Sequence, residues 1–166
     1  MYYLRWLGLV FMAALVLFCF FRPETYLLLD YVNLIFHEAG HILFQPFGEL
    51  MMFLGGSIMQ VLVPLVCAGV FAYQKDLYAS GLTLLWATQS LINVSVYIRD
   101  ASSRSLPLIT DDPDTHDWWN ILLILNRLQQ DDAIANVAVF WAFLLYLFAL
   151  YVSFRGLFFA APENSN

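Results

Sequence analysis

Residues 26–44 read YLLLDYVNLIFHEAGHILF, an apolar run that carries the motif His37-Glu38-Ala39-Gly40-His41 in its later half. The apolar residues on both sides of the motif predict a helix. On a helix His37 and His41 lie one turn apart on the same face, where both can reach a single Zn²⁺ ion. Glu38 then lies beside the metal, where it can take a proton from a metal-bound water as a general base. The motif therefore predicts two zinc ligands and one catalytic carboxylate.

The composition of the whole chain places this motif in a membrane. Of the 166 residues, 61% are hydrophobic and 12% are charged, against about 25% charged residues in soluble domains. The chain is therefore predicted to be a multi-pass integral membrane protein that forms one domain over residues 1–166 and is surrounded by the lipid bilayer. Ionisable groups at membrane depth are costly unless paired or metal-bound, which favours a functional reading of the motif. The net charge of -6 and the lack of a basic patch exclude nucleic acid as a partner.

Apolar stretches separated by polar turns predict an all-α membrane bundle of about five spans. The predicted spans are residues 6–21, 26–44, 57–73, 79–98 and 134–152. The metal-binding core is expected within about residues 26–117, which leaves the spans at 6–21 and 134–152 peripheral.

Two shorter apolar segments are predicted not to cross the bilayer. Residues 47–57 contain Gly55-Gly56 and favour a re-entrant hairpin packed beside the metal. Residues 118–130 begin with two tryptophans and are predicted to form a helix at the membrane interface, capped by Thr115 or Asp117.

A catalytic zinc site needs a third protein ligand and one position open to water. The second and fourth spans point the same way through the membrane, so Asp100 and His116 lie toward the same face as the motif. Either residue, or both, is a candidate ligand, and a site closed by both would be structural in character. Asn93, about two turns before Asp100, could bind the backbone of an extended substrate. Asp114 and Asp117 are predicted as turn and cap residues, either of which could orient a zinc-bound His116.

This arrangement resembles the site-2 proteases, which are intramembrane zinc metalloproteases. The resemblance is carried by the histidine motif, by Gly55-Gly56 before the next span, and by an asparagine followed by an aspartate at the end of the span after that. In the family the last element ends in Leu-Asp-Gly, whose aspartate is the third zinc ligand, whereas residues 93–101 here read NVSVYIRDA. Over residues 26–101 the resemblance implies that His37, His41 and Asp100 bind zinc and that Glu38 activates water, in a divergent member of the family.

The sequence thus predicts an intramembrane zinc metalloprotease that hydrolyses peptide bonds of a transmembrane protein substrate. The alternative is a non-catalytic, zinc-stabilised membrane scaffold or partner-binding subunit. The small size of the chain, the missing Leu-Asp-Gly and the prospect of four metal ligands favour that alternative. A transporter has only the short glycine-containing segment in its favour.

Overall fold

The computed structural model describes residues 2–110 and 112–158, and this part of the chain is helical without any strand, as the sequence predicts. The helices are α1 (Tyr2–Phe21), α2 (Leu28–Phe44), α3 (Glu49–Tyr73), α4 (Leu77–Arg99), α5 (Asp117–Ile124) and α6 (Asp131–Phe158). Single 3₁₀ turns precede three of them, at Gln45–Phe47, Pro113–Thr115 and Leu128–Gln130.

Four of the described helices are long and apolar enough to cross a membrane, one fewer than the five spans predicted. These are the segments Tyr3–Phe21, Glu49–Tyr73, Leu77–Arg99 and Leu128–Phe158. The predicted span at 26–44 is the 17-residue helix α2, whose buried residues are Asp30, Asn33, His37 and Gly40. Its buried side is therefore polar or small, while its apolar side faces outward. The four long helices are consistent with a membrane protein.

Helix α4 is the most buried of the four long helices and packs antiparallel to α6. Arg99 at the end of α4 forms an ion pair of 2.6 Å with Asp132 at the start of α6. Gly81 near the start of α4 lies directly against Ser153 near the end of α6, where a Cβ on the glycine would come within 2.1 Å of the serine Oγ. Small residues thus allow the start of α4 and the end of α6 to approach closely.

Helix α2 runs in the same direction as α4. Gln89 Nε2, in the middle of α4, donates a hydrogen bond of 2.6 Å to Asp30 in the first turn of α2. Further along both helices, the rings of Tyr97 and His37 lie 5.9 Å apart. The end of α4 and the histidine motif therefore lie toward the same end of the bundle.

Helix α1 also runs in this direction. At its start, the Arg5 carbonyl accepts a hydrogen bond of 2.8 Å from Tyr78 Oη, which lies at the start of α4. Near its end, Phe20 packs on Tyr146 in the middle of α6, with ring centroids 5.9 Å apart. Helices α1 and α2 therefore lie one after the other along the bundle axis and run in the same direction. They do not form the antiparallel pair expected of consecutive spans.

The predicted re-entrant hairpin at residues 47–57 is wrong, because Gly55 and Gly56 lie inside the continuous helix α3. A Cβ on Gly40 would lie 2.1 Å from the Gly55 carbonyl oxygen, so the glycines permit close packing of α2 on α3 and do not form a turn. The chain reverses earlier, at Gly48, whose φ of 99° lies in the region that favours glycine.

Helix α5 is shorter than predicted and packs on α3. Trp118 Nε1 donates a hydrogen bond of 3.0 Å to Ser57 Oγ, and Ile121 and Leu122 are buried. The predicted cap at Thr115 or Asp117 is wrong, because the side chain at the cap position is His116, which accepts from the backbone of the helix's first turn. An imidazole nitrogen with a free lone pair can accept this bond as a hydroxyl or carboxylate would.

Candidate metal centre

Three side chains meet at the end of the bundle toward which α2 and α4 point. Helix α2 contributes His37 and His41, whose ring centroids are 4.8 Å apart, and the first residue of α5 contributes Asp117. Asp117 Oδ2 lies 2.9 Å from His37 Nε2 and 3.3 Å from His41 Nε2. One ligand atom from each of these residues lies within 4.8 Å of the others, so together they could hold a metal ion.

The position of Asp117 depends on contacts made by the start of α5. Its backbone N–H donates to Tyr97 Oη on α4 at 3.1 Å. The next residue, Trp118, donates to Ser57 on α3, and the preceding residue, His116, caps the helix. The carboxylate is therefore held between α3 and α4 and not on a free loop, and Asp117 as a whole is buried.

Hydrogen bonds on the far side of each imidazole select its tautomer. His37 Nδ1 lies 2.8 Å from Gln60 Oε1, and Gln60 Nε2 donates to the Ser90 carbonyl and to Asn93 Oδ1, both at 3.2 Å. Because the Gln60 amide nitrogen faces those two acceptors, its oxygen faces His37, and His37 Nδ1 must carry the proton. His41 Nδ1 lies 2.8 Å from the Met52 carbonyl oxygen, which can only accept. Both Nε2 atoms are thereby left to face Asp117.

Two Nε2 lone pairs and a carboxylate oxygen would repel one another unless a cation lies between them. Protons on the rings or a metal ion can supply that positive charge. Burial acts to raise the pKa of the Asp117 carboxyl, but hydrogen bonds with His37 and His41 outweigh burial and lower the pKa below its ordinary value. Asp117 is therefore an anion at neutral pH, which is the form that binds metal.

A buried polar network holds the start of α2 against α4. Asn33 Nδ2 donates to Gln89 Oε1 at 2.8 Å, and Asn33 Oδ1 accepts from Trp86 Nε1 at 2.7 Å and from Ser90 Oγ at 3.0 Å. Gln89 in turn donates to Asp30. The polar side of α4 thus faces the bundle interior, and its bonds hold Asn33, which lies one turn before His37 on α2.

Asp100 and His116, the two predicted candidates for the third ligand, lie together but outside the group formed by His37, His41 and Asp117. His116 Nε2 lies 3.3 Å from Asp100 Oδ2, and His116 Nδ1 accepts from the Trp119 backbone at 3.2 Å. Both ring nitrogens are therefore engaged. Burial lowers the pKa of His116, which is consistent with a neutral ring that donates through Nε2 and accepts through Nδ1.

Asp100 organises the loop that follows α4. Its carboxylate accepts from Ser103 Oγ at 2.6 Å, from Ser105 N and Oγ at 2.9 and 2.7 Å, and from Leu106 N at 3.0 Å. Burial acts to raise the pKa of Asp100, but the bonds from Ser103, Leu106 and Ser105 outweigh it and lower that pKa. Asp100 and His116 thus tie together the two ends of the loop that leads to Asp117. Among the described residues, this pairing does not form the four-ligand shell that was one of the three observations in favour of the scaffold alternative.

A cavity of about 560 Å³ opens beside the group formed by His37, His41 and Asp117. Its walls include Glu38 and Asn93, the predicted general base and substrate-binding residue, together with Tyr97. Glu38 is exposed, and its carboxylate is close enough to interact electrostatically with His41 and Tyr97. Apolar walls come from α2 to α4 and from the loop after α4: Leu34, Met52, Phe53, Val96, Leu106, Pro107, Leu108 and Ile109.

Comparisons with protein-family models, with curated proteins and with solved structures found no match for this chain. The class of this protein is therefore described from its fold and its candidate site. Over the described residues it is an all-α bundle with four helices of membrane-crossing length, and a largely buried group of two histidines and one aspartate at one end of the bundle could hold a metal.

Two residues of the site are not singled out by sequence reasoning. Asp117 is one of four aspartates in residues 111–117, and its local sequence favours a turn or cap residue. Gln60 is a single polar residue in an apolar helix, and that isolation is the signal that could have marked it. Its buried amide faces His37 because α3 crosses α2 at the glycine contact.

Proposed function

We propose that this protein is a zinc-dependent intramembrane hydrolase of the site-2 protease type, with Asp117 as the third protein ligand beside His37 and His41. The observation that carries the proposal is the approach of Asp117 Oδ2 to both Nε2 atoms, at 2.9 and 3.3 Å. Two imidazoles and one carboxylate are a ligand set that catalytic zinc sites use, with a fourth position open to water.

The surroundings of the three ligands support a catalytic use of the metal. Acceptors behind each imidazole, as Gln60 and Met52 provide here, orient metal-binding histidines and raise their basicity. Bound zinc would polarise a carbonyl group and lower the pKa of a water molecule. Glu38 follows His37 directly and faces the cavity, where its carboxylate can accept a proton from the attacking water and pass it to the leaving amine.

The cavity supports a peptide as the substrate class. Its walls are mainly apolar, and it extends from the ligand group to the connection between α1 and α2 and to the loop after α4. A volume of about 560 Å³ admits several residues of an extended apolar segment. Asn93 lies in the wall, where its amide can bind a substrate backbone, although its Oδ1 also accepts from Gln60.

The direct test is Glu38→Gln, which keeps the size of the side chain and removes the base. We expect zinc content to remain at the level of the unaltered protein, while hydrolysis falls by about 10²- to 10⁴-fold, the usual contribution of a general base. The assay uses protein purified in detergent, a quenched fluorescent peptide with an apolar transmembrane-type sequence, and metal analysis of the same samples.

The matched control is Glu49→Gln, an exposed carboxylate in the first turn of α3. It should cleave the peptide as fast as the unaltered protein. Equal cleavage rates for Glu38→Gln and the unaltered protein would contradict the assignment of the base. Absence of zinc from the unaltered protein after growth with zinc would contradict the proposal as a whole.

A further inference from the structure

Tyr97 lies at the metal centre without being one of the candidate ligands. It belongs to the last turn and a half of α4, and its ring lies 5.9 Å from that of His37 and 4.2 Å from that of His116. It is half-buried and forms part of the cavity wall together with Glu38 and Asp117. The carboxylates of Glu38 and Asp117 both interact electrostatically with it. The phenol group is thus next to both the proposed base and a proposed ligand.

Both hydrogen-bond partners of the Tyr97 hydroxyl belong to Asp117. The Asp117 backbone N–H donates to Tyr97 Oη at 3.1 Å. The phenol in turn donates to the Asp117 carboxylate. That carboxylate faces the two imidazoles through Oδ2, so a metal ion held by the three side chains would compete with the phenol for it. An oxyanion beside the metal would then be the stronger acceptor for the Tyr97 proton.

We propose that the Tyr97 hydroxyl donates a hydrogen bond to the oxyanion that develops on a substrate carbonyl when water attacks it. This inference rests on the proposed function, because it assigns a catalytic residue to the same site. The phenol keeps its proton throughout, so no bond at Tyr97 is formed or broken apart from the hydrogen bond. A donor held by a helix is already oriented before the reaction, which is why such donors stabilise developing charge effectively.

A merely structural role for Tyr97 would be to hold Asp117 through its backbone N–H and its carboxylate. The two roles make different predictions for Tyr97→Phe. Loss of a structural support would weaken zinc binding, since Asp117 would be displaced. Loss of an oxyanion donor would leave zinc binding unchanged and weaken only the binding of a ligand that places negative charge on an oxygen beside the metal.

The experiment therefore measures two affinities of Tyr97→Phe in detergent. Zinc affinity is measured by competition with a chromogenic chelator. Affinity for acetohydroxamate, a small metal-binding oxyanion, is measured by calorimetry on the zinc-loaded protein. We expect an unchanged zinc affinity and a hydroxamate affinity lower by about tenfold or more, as for the loss of a hydrogen bond to a charged group. Peptide cleavage should fall in kcat by about 10²-fold or more, with little change in KM.

Tyr78→Phe is the matched control, since Tyr78 lies at the opposite end of the same helix and donates to the Arg5 carbonyl. It should change neither affinity. An unchanged hydroxamate affinity in Tyr97→Phe, or a loss of zinc in that variant, would overturn the assignment. Because both affinities are measured without cleavage, a failure of the unaltered protein to cleave peptides would count against the proposed function and not against the hydrogen-bond donor.

Discussion

Replacement of Asp117 by asparagine tests the proposed metal centre most directly. Asparagine has nearly the same shape and removes the negative charge, so the backbone contacts of Asp117 with Tyr97 are expected to remain. The carboxylate faces both imidazoles from 2.9 and 3.3 Å, and it is buried. Because the asparagine still fills this buried position, a water molecule cannot replace the lost carboxylate as a ligand. We therefore expect Asp117→Asn to weaken zinc binding strongly.

The magnitude follows from the free energy of zinc binding. Structural sites with four protein ligands bind zinc with about 10–16 kcal/mol at neutral pH, or roughly 2.5–4 kcal/mol for each ligand. Loss of one ligand should therefore raise the Kd for zinc by roughly 10²- to 10³-fold. A chelator of known affinity, titrated against protein in detergent, measures this change directly.

The control for this prediction is Asp114→Asn. Asp114 lies in the same loop, lines the same cavity and pairs with Arg104 at 2.8 Å, but it is exposed and is not one of the three grouped side chains. Its replacement should leave the zinc Kd unchanged. The reasoning would be refuted if Asp117→Asn kept the original zinc affinity while Asp100→Ala or His116→Ala lost it.

Two further predictions concern residues that support His37. Gln60→Met removes the acceptor of His37 Nδ1 while keeping the length of the side chain. Chelator competition should show a zinc affinity lower by about 10- to 100-fold. An unchanged affinity would mean that the tautomer of His37 is set in another way. Gly56→Ala would bring a Cβ to 2.5 Å from His37 Nε2 and should abolish zinc binding. The control is Gly69→Ala, because Gly69 has open space around it. This control variant should bind zinc normally and unfold at an equal or higher temperature than the unaltered protein. Normal zinc binding by Gly56→Ala would contradict the contact between α3 and the imidazole.

The positions of most helices could be predicted from the sequence, because apolar runs of membrane length are a strong local signal. The fourth predicted span, residues 79–98, corresponds closely to α4 at Leu77–Arg99. The glycine-containing segment was interpreted wrongly because glycine has two uses. Gly55 permits a close contact with Gly40, and only the neighbouring helix distinguishes this use from a turn.

The proposed third ligand, Asp117, could not be predicted for a similar reason. Asp100 and His116 lie at the expected end of the bundle, but they pair with each other across the loop. That loop turns back over the end of α4 and delivers Asp117, the next residue after His116, to the histidines. A shift of one residue along the chain decides which side chain faces inward, and neither composition nor spacing specifies it.

The sequence by itself determined the helical class, the approximate length of the helices and the pairing of His37 and His41 on one face. All of these depend on hydrophobicity and on the 3.6-residue repeat, which act over a few neighbouring residues. The tertiary structure alone decided that Asp117 completes the group and that Gln60 lies behind His37. Those contacts join residues 80 and 23 positions apart in the chain, so they exist only once α3 and α5 have packed against α2.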